Sequence, residues 1–369
     1  MTRLTVSVQP RPYEAVIESG ILTKVGNFLR ELLADSSPAS RQILVVTVPR
    51  VRRRWGKVLT RSLTTAGFKP CFIDMPDGER YKRLATVEKL AEKLAQSGAD
   101  RSSVILAFGG GVVGDVAGLL ASLYMRGVNV VQIPTTVLAQ VDASIGGKTG
   151  VNLRTGKNLL GTFHQPRAVL IDPVVLTTLP EREFRAGLYE SIKCGVIGNP
   201  ALFDFLANTD PKKLRRNPAK LEWVIAESVK LKAEVVSSDE RESGLRRILN
   251  FGHTIGHALE AETAYRQFLH GEAVAWGMIA ATDISVATDR IDQEAASRVR
   301  DAVLRLGPLP SVSVNRRSIL NLLQTDKKTR NGKLHFVLPR EIGRVEIASN
   351  VPDKLVLEAV DELKRVSKA

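Results

Sequence analysis

Histidine, cysteine and aromatic residues are scarce in this chain, and each scarcity removes a class of explanation. Only two cysteines, Cys71 and Cys194, occur in 369 residues. They stand far apart, so neither a disulfide framework nor a thiolate zinc knot is available. Any metal must be held by histidine and carboxylate. Phe, Trp and Tyr make up 5% of the chain and do not interleave with its basic runs, which removes the stacking platforms that single-stranded nucleic acid requires. No run approaches the roughly 20 apolar residues that span a bilayer, and no apolar core follows the opening MTRLTVSVQP. The expectations are a cytoplasmic location, no membrane partner and no nucleic-acid partner. Acid is scarcer than base, 39 Asp and Glu against 53 Lys and Arg, for a net charge of +14. Basic runs at 50–57 and 212–216 read as solvated faces. The other simple explanation of the excess is a small anionic substrate.

What is present is an ordinary globular composition, 44% apolar, long enough for two cores. Before about residue 180, short β-branched runs at 42–48, 71–75, 103–108 and 129–133 alternate with helical periods such as Ile21, Val25, Phe28, Leu29 and Leu32. That alternation is the signature of stacked βαβ units and a mostly parallel sheet. Beyond Pro180 the strand signal nearly vanishes. Helical periods occupy 181–206, 221–237, 295–306 and 353–368, with one late hairpin at 334–338 and 344–348. The expected architecture is an α/β Rossmann-like domain over 1–179 and an all-α domain over 180–369.

Five histidines occur in the chain, and three of them, His253, His257 and His270, fall within one segment. Neutral imidazole is the commonest protein metal ligand. His253 and His257 are four apart and share a helix face, so spacing alone suggests a zinc pair. The competing reading is a helix start whose histidines pack or cap. His164 and His335 stand alone and read as ordinary histidines.

Two glycine-rich stretches follow strands. The run SVILAF leads into Gly109, Gly110, Gly111 and then Val112, Val113, Gly114 and Asp115. Glycines at such a turn let backbone approach a pyrophosphate at a helix N-terminus; tight strand-to-helix packing is the alternative. Further on, GGKTG at 146–150 imitates a P-loop, but the spacing requires glycine at 142, where Asp142 stands. The stretch 142–161 reads instead as a long loop suited to anion capture.

Several motifs then agree at once: GGGVVGDVAG at 109–118, YMRG at 124–127, IPTTVLAQVDASIGGKTGVN at 133–152, GKNLLGTFHQP at 156–166, LYESIK at 188–193, RRILNFGHTIGHALE at 246–260 and HGEAV at 270–274. In this order they resemble the 3-dehydroquinate synthase family across nearly the whole chain. The nearest confusable group is another cyclase of the wider sugar-phosphate cyclase superfamily. Metal-dependent alcohol dehydrogenases share the pairing of NAD with a metal, yet have little use for so many phosphate-facing cations.

The resemblance implies an NAD-binding N-terminal domain, a helical C-terminal domain carrying one Zn2+ (or Co2+) and an active site between them. The implied enzyme is a carbon–oxygen lyase of the shikimate pathway. It turns 3-deoxy-D-arabino-heptulosonate 7-phosphate into 3-dehydroquinate and phosphate by transient oxidation, phosphate elimination, re-reduction and intramolecular aldol closure. By motif, the implied metal ligands are Glu190, His253 and His270, with His257 on the substrate side, which overrides the spacing argument. Asp142, Lys148, Lys193, Lys232, Arg246, Asn250 and His257 take catalytic positions. Arg126, Asn158, Lys327 and Lys328 take substrate positions, and Arg126 matches a residue that reaches a neighbouring subunit, which implies a homodimer. Glu79, Lys82, Gly110, Gly111, Asp115, Thr135, Thr136 and Lys157 take cofactor positions. One departure concerns Val48, which stands where relatives place Asp or Asn and cannot accept a hydrogen bond.

Overall fold

The computed structural model describes residues 1–34, 42–329 and 334–368, the side chains of 325–329 excepted. The chain forms two compact units: Met1–Pro180 with Pro218–Arg241, and Glu181–Asn217 with Glu242–Ala369.

The first unit is built on strands β1 (Thr2–Val6), β2 (Tyr13–Ile17), β3 (Ile43–Thr47), β4 (Pro70–Asp74), β5 (Val104–Gly109), β6 (Asn129–Pro134) and β9 (Ala168–Ile171). They form one seven-stranded sheet in the order β1-β2-β9-β6-β5-β3-β4. Only the β1–β2 pair is antiparallel; the remaining pairs run parallel. Strands β3 and β5 are buried along their whole length, which is why they read as unbroken apolar runs rather than alternating ones. Helices α1 (Val25–Leu32), α2 (Pro49–Thr65), α3 (Leu84–Gln96) and α4 (Gly111–Leu123) are the crossovers. From β3 the chain passes through α2 to β4 on one side, then through α3 to β5 on the other. The order therefore reverses between β3 and β5, and ligands bind outside the carboxyl ends of such strands. There the Thr47 hydroxyl donates to the Phe108 carbonyl at 2.7 Å.

The stretch 142–161, expected as a loop, instead contains the antiparallel hairpin β7 (Lys148–Leu153) and β8 (Gly156–Phe163). Gly150 faces Gly161 in its register, and a Cβ on Gly161 would lie 2.0 Å from the Thr149 carbonyl oxygen. The glycines that made the segment look irregular are what let its two strands approach.

Helix α8 (Pro218–Ser238) lies in the half that the sequence assigned to the helical domain, yet it belongs to the first unit. Long-range polar contacts explain why. Ser237 Oγ accepts from Ser7 N at 2.8 Å, Glu240 Oε2 from Gln9 N at 3.1 Å and Glu222 Oε2 from Ser19 N at 3.1 Å. Helical periodicity is blind to such contacts.

The second unit contains α5 (Glu181–Gly198), α6 (Pro200–Ala207), α7 (Pro211–Arg215), α9 (His253–Glu262), α10 (His270–Ala287), α11 (Gln293–Arg305), α12 (Arg316–Thr329) and α13 (Asp353–Val366). The helical period at 181–206 is broken in two because Asn199 accepts from Leu202 N at 3.1 Å and Pro200 opens the new helix. The unit is largely helical, and the late hairpin expected from the sequence is present, β10 (Phe336–Glu341) pairing antiparallel with β11 (Arg344–Ala348). Helix α10 is its centre, buried from Gly271 through Thr282 and packed by α5, α9, α11, α13 and β10. Among the described residues no helix is long and apolar enough to cross a membrane.

Candidate active site and metal centre

Two close helix contacts create the histidine cluster. A Cβ on Gly271 would lie 1.8 Å from the Ala186 carbonyl oxygen, so α10 lies directly on α5, one turn before Glu190. A Cβ on Gly277 would lie 1.8 Å from the Gly252 carbonyl oxygen, which seats α10 against the start of α9. Glycine at 271 and 277 thus brings Glu190, His253 and His270 to one place from three helices.

Glu190 is fully buried. Its Oε1 lies 3.8 Å from His253 Nε2 and 3.8 Å from His270 Nε2 and receives no hydrogen bond. Its Oε2 touches Lys193 Nζ, an ion pair without hydrogen-bond geometry. Each imidazole is held from behind. His253 Nδ1 lies 3.1 Å from the Phe251 carbonyl oxygen, and His270 Nδ1 lies 3.3 Å from Glu260 Oε2. A carbonyl can only accept, so His253 Nδ1 carries a proton and Nε2 is the nitrogen that faces Glu190. A buried carboxylate oxygen lacking a donor, flanked by two such nitrogens, fits a divalent cation.

His257 is also close. The nitrogens of His253, His257 and His270 lie within 4.8 Å of one another, and its ring centroid is 5.2 Å from that of His253. Two ligand sets therefore overlap, three histidines or Glu190 with His253 and His270. The second answers the buried charge of Glu190, whereas His257 is solvent-exposed and needs no such compensation.

Arg182, on the first turn of α5, holds the start of α10. Its Nε and Nη2 donate to the two oxygens of Glu272 at 2.6 and 2.7 Å, and Glu272 Oε2 accepts from Leu269 N at 2.8 Å. Nearby, Asn250 Nδ2 donates to Glu242 Oε1 at 2.8 Å. Glu242 has φ of 59°, an unusual backbone for a non-glycine residue. Sequence reasoning missed Glu242, Glu260, Glu272 and Arg182, although HALE and HGEAV had quoted two of them. Arg246 and Lys193 are buried cations of the same unit, 2% and 1% exposed. Lys327 and Lys328 fall in α12, but their side chains lie outside the described residues.

In the first unit the expected cofactor positions converge. Helix α4 starts at Gly111 after Gly110, with no side chain capping its first turn, and both glycines are partly exposed. Its N–H groups are therefore open to an anion. Thr135 N donates to the Gly109 carbonyl at 2.9 Å, and Thr136 Oγ1 accepts from Ala139 N at 3.2 Å. Lys82, 5% exposed, touches Asp115 and donates to Asn158 Oδ1 at 2.5 Å. Burial raises the Asp115 carboxyl, and Lys82 opposes that shift. Asn152, absent from the sequence-derived set, ties the group together. It donates to Glu79 Oε1 at 2.8 Å and accepts from Asn158 N at 3.0 Å, while Lys157 Nζ lies 3.7 Å from Glu79. Asn158, expected on the substrate side, is joined to the expected cofactor residue Lys82 by this network. These uncapped N–H groups and paired cations fit a dinucleotide. Val48, at the end of β3, is buried and offers no side-chain acceptor.

Asp142 sits in the π-helical turn Ala139–Ala143. Lys232 Nζ donates to both its carbonyl and its Oδ1, at 2.7 and 2.6 Å. Lys148 is exposed on β7. Arg126 is exposed too, in left-handed backbone between Met125 and Gly127.

Comparison with known proteins identifies the family. The chain matches the 3-dehydroquinate synthase N-terminal family over residues 72–186 and the 3-dehydroquinate synthase C-terminal family over residues 187–329. It is 54% identical to a 3-dehydroquinate synthase of Koribacter versatilis, covering 100% of this chain and 99% of that one. It is 50% identical to a 3-dehydroquinate synthase of Solibacter usitatus, covering 98% and 99%. Among solved structures, ValA, a 2-epi-5-epi-valiolone synthase from Streptomyces hygroscopicus with NAD+ and Zn2+ bound, superposes with a TM-score of 0.87 at 31% identity, covering 98% and 99%. A 2-deoxy-scyllo-inosose synthase complexed with carbaglucose-6-phosphate, NAD+ and Co2+ gives 0.87 at 27%, covering 98% and 100%. With both halves matched and half or more of the residues shared along its length with two such enzymes, the chain belongs to the 3-dehydroquinate synthase family.

Proposed function

We propose that the protein converts 3-deoxy-D-arabino-heptulosonate 7-phosphate into 3-dehydroquinate and phosphate, using NAD and one divalent ion, Zn2+ or Co2+, held by Glu190, His253 and His270. The observation that carries the metal assignment is the buried Glu190 Oε1, without a hydrogen bond and 3.8 Å from both imidazole Nε2 atoms. The family membership carries the reaction. Held by these residues, the ion would supply Lewis acidity to a substrate hydroxyl and NAD would supply a reversible hydride acceptor.

The chain's own residues supply positioning. Gly110 and Gly111 offer backbone N–H groups to the dinucleotide phosphates. Lys82, fixed by Asp115 and Asn158, carries positive charge beside them, with Glu79, Thr135, Thr136 and Lys157 completing the cofactor positions. Lys148, Lys193, Lys232, Arg246 and Asn250 bind the substrate's carboxylate and phosphate, where a guanidinium fork matches either group. Asp142, oriented by Lys232, and His257 handle hydroxyl protons. The proton lost during elimination passes to the substrate's own phosphate, so the chain need only hold that group still.

A homodimer belongs to the same reading. It is supported by exposed Leu123, Met125 and Phe163, at 52%, 44% and 47%, in the unit that also exposes Arg126. The test of the function is phosphate release from the heptulosonate phosphate in the presence of NAD, with glucose 6-phosphate as control. Release from glucose 6-phosphate alone would move the chain to a sister cyclase activity.

A further inference from the structure

The structure assigns Glu260 as the positioning residue of His270, a buried carboxylate that holds the imidazole so that Nε2 faces Glu190. This inference rests on the reading that Glu190, His253 and His270 hold a divalent ion.

The two imidazoles are supported differently. His253 leans on the Phe251 carbonyl, two residues away in its own chain segment. His270 opens α10 and reaches across to another helix, α9, for Glu260 Oε2 at 3.3 Å. Its side chain is 28% exposed against 12% for His253, so its ring has less packing around it. Glu260 is 2% exposed. Its backbone is pinned where α9 ends, the Glu260 carbonyl accepting from Tyr265 N at 2.7 Å. Immobilising a carboxylate in the interior costs solvation. That cost is offset when an imidazole N–H donates to it and a divalent ion lies beyond the same ring. A carboxylate behind a ligating histidine fixes ring orientation and tautomer, and removing such a group typically lowers metal affinity by about 10–100-fold.

Glu260→Gln keeps an acceptor for Nδ1 without the charge, and Glu260→Ala removes both. The full chain is titrated with Co2+ alone in competition with a chromophoric chelator. The Co2+ absorption band in the visible is recorded, and the unfolding midpoint of the metal-free protein is measured alongside. The expected result is a Co2+ affinity about 10–100-fold weaker for Glu260→Ala, with an intermediate loss and a shifted band for Glu260→Gln. The metal-free unfolding midpoint of Glu260→Gln stays at the wild-type value. Wild-type affinity and an unchanged band in Glu260→Gln and Glu260→Ala would overturn the inference; should Glu260→Ala fail to fold, Glu260→Gln decides alone. Wild-type protein that binds no Co2+ would instead overturn the metal reading, and the inference with it.

Discussion

His270 Nε2 and Glu190 Oε1 lie 3.8 Å apart although they come from the first turn of α10 and the middle of α5. Their distance depends on how closely those helices pack. The ligand set can be tested directly. His270→Ala is expected to lose metal and turnover together, whereas His257→Ala keeps metal and turns over more slowly. Metal content of the purified variants decides the matter; loss of metal from His257→Ala would mean that the three histidines are the ligands.

The packing itself makes a second prediction. Gly271→Ala places a methyl 1.8 Å from the Ala186 carbonyl oxygen, and backbone cannot rotate aside as a side chain does. The helices must part, with a loss of about 3 kcal/mol of stability and weakened metal retention. Denaturant unfolding measures the first. A loss below about 1 kcal/mol would show that α5 and α10 separate without strain.

Lys82 carries the third. Lys82→Met leaves the partly buried Asp115 carboxylate without its cation, expected to cost about 2 kcal/mol of stability. NAD affinity should fall at least about tenfold, which corresponds to about 1.4 kcal/mol. Adding Asp115→Asn recovers part of the stability but not the binding. Equilibrium NAD binding, followed by intrinsic fluorescence, checks this, and unaltered affinity would remove Lys82 from the cofactor positions.

Asp172 makes a pH prediction. Its carboxylate accepts from Gly20 N, Leu22 N and Val174 N at 2.8, 3.0 and 2.9 Å, yet burial outweighs these bonds and raises its pKa above the ordinary 3.8. A raised folded value means that the native state binds more protons than the unfolded chain across that window. The group's titration-linked stability is thus fully present below pH 3.8 and is lost as pH rises through the folded value. The stability advantage of wild type over Asp172→Asn should therefore shrink with rising pH in the acid range. Urea unfolding at several pH values tests it, and an advantage that grows would show that the backbone hydrogen bonds dominate.

Much of this was legible beforehand because local chemistry wrote it. The buried strands β3 and β5 announce themselves as apolar runs, and the glycine turn before α4 marks a strand passing into a helix. The motifs LYESIK, NFGHTIGH and HGEAV carry the proposed metal-ligand positions. Spacing used alone stops at the nearest histidine. His257, four residues after His253, looked the obvious partner, while Glu190 lies far away in sequence.

The sequence by itself determined the residue types, the alternation of strands and helices before residue 180 with helices after it, and the family. Tertiary structure decided which nitrogen of His253 and of His270 turns toward Glu190, that Glu260 stands behind His270 and Arg182 behind Glu272, and that α8 joins the sheet unit. It also decided that 148–163 pair as a hairpin. The physical reason is the same each time: these outcomes rest on contacts between segments remote in the chain, such as Gly271 against Ala186 and Lys232 against Asp142, and periodicity records only which face of an element is apolar, not what that face meets.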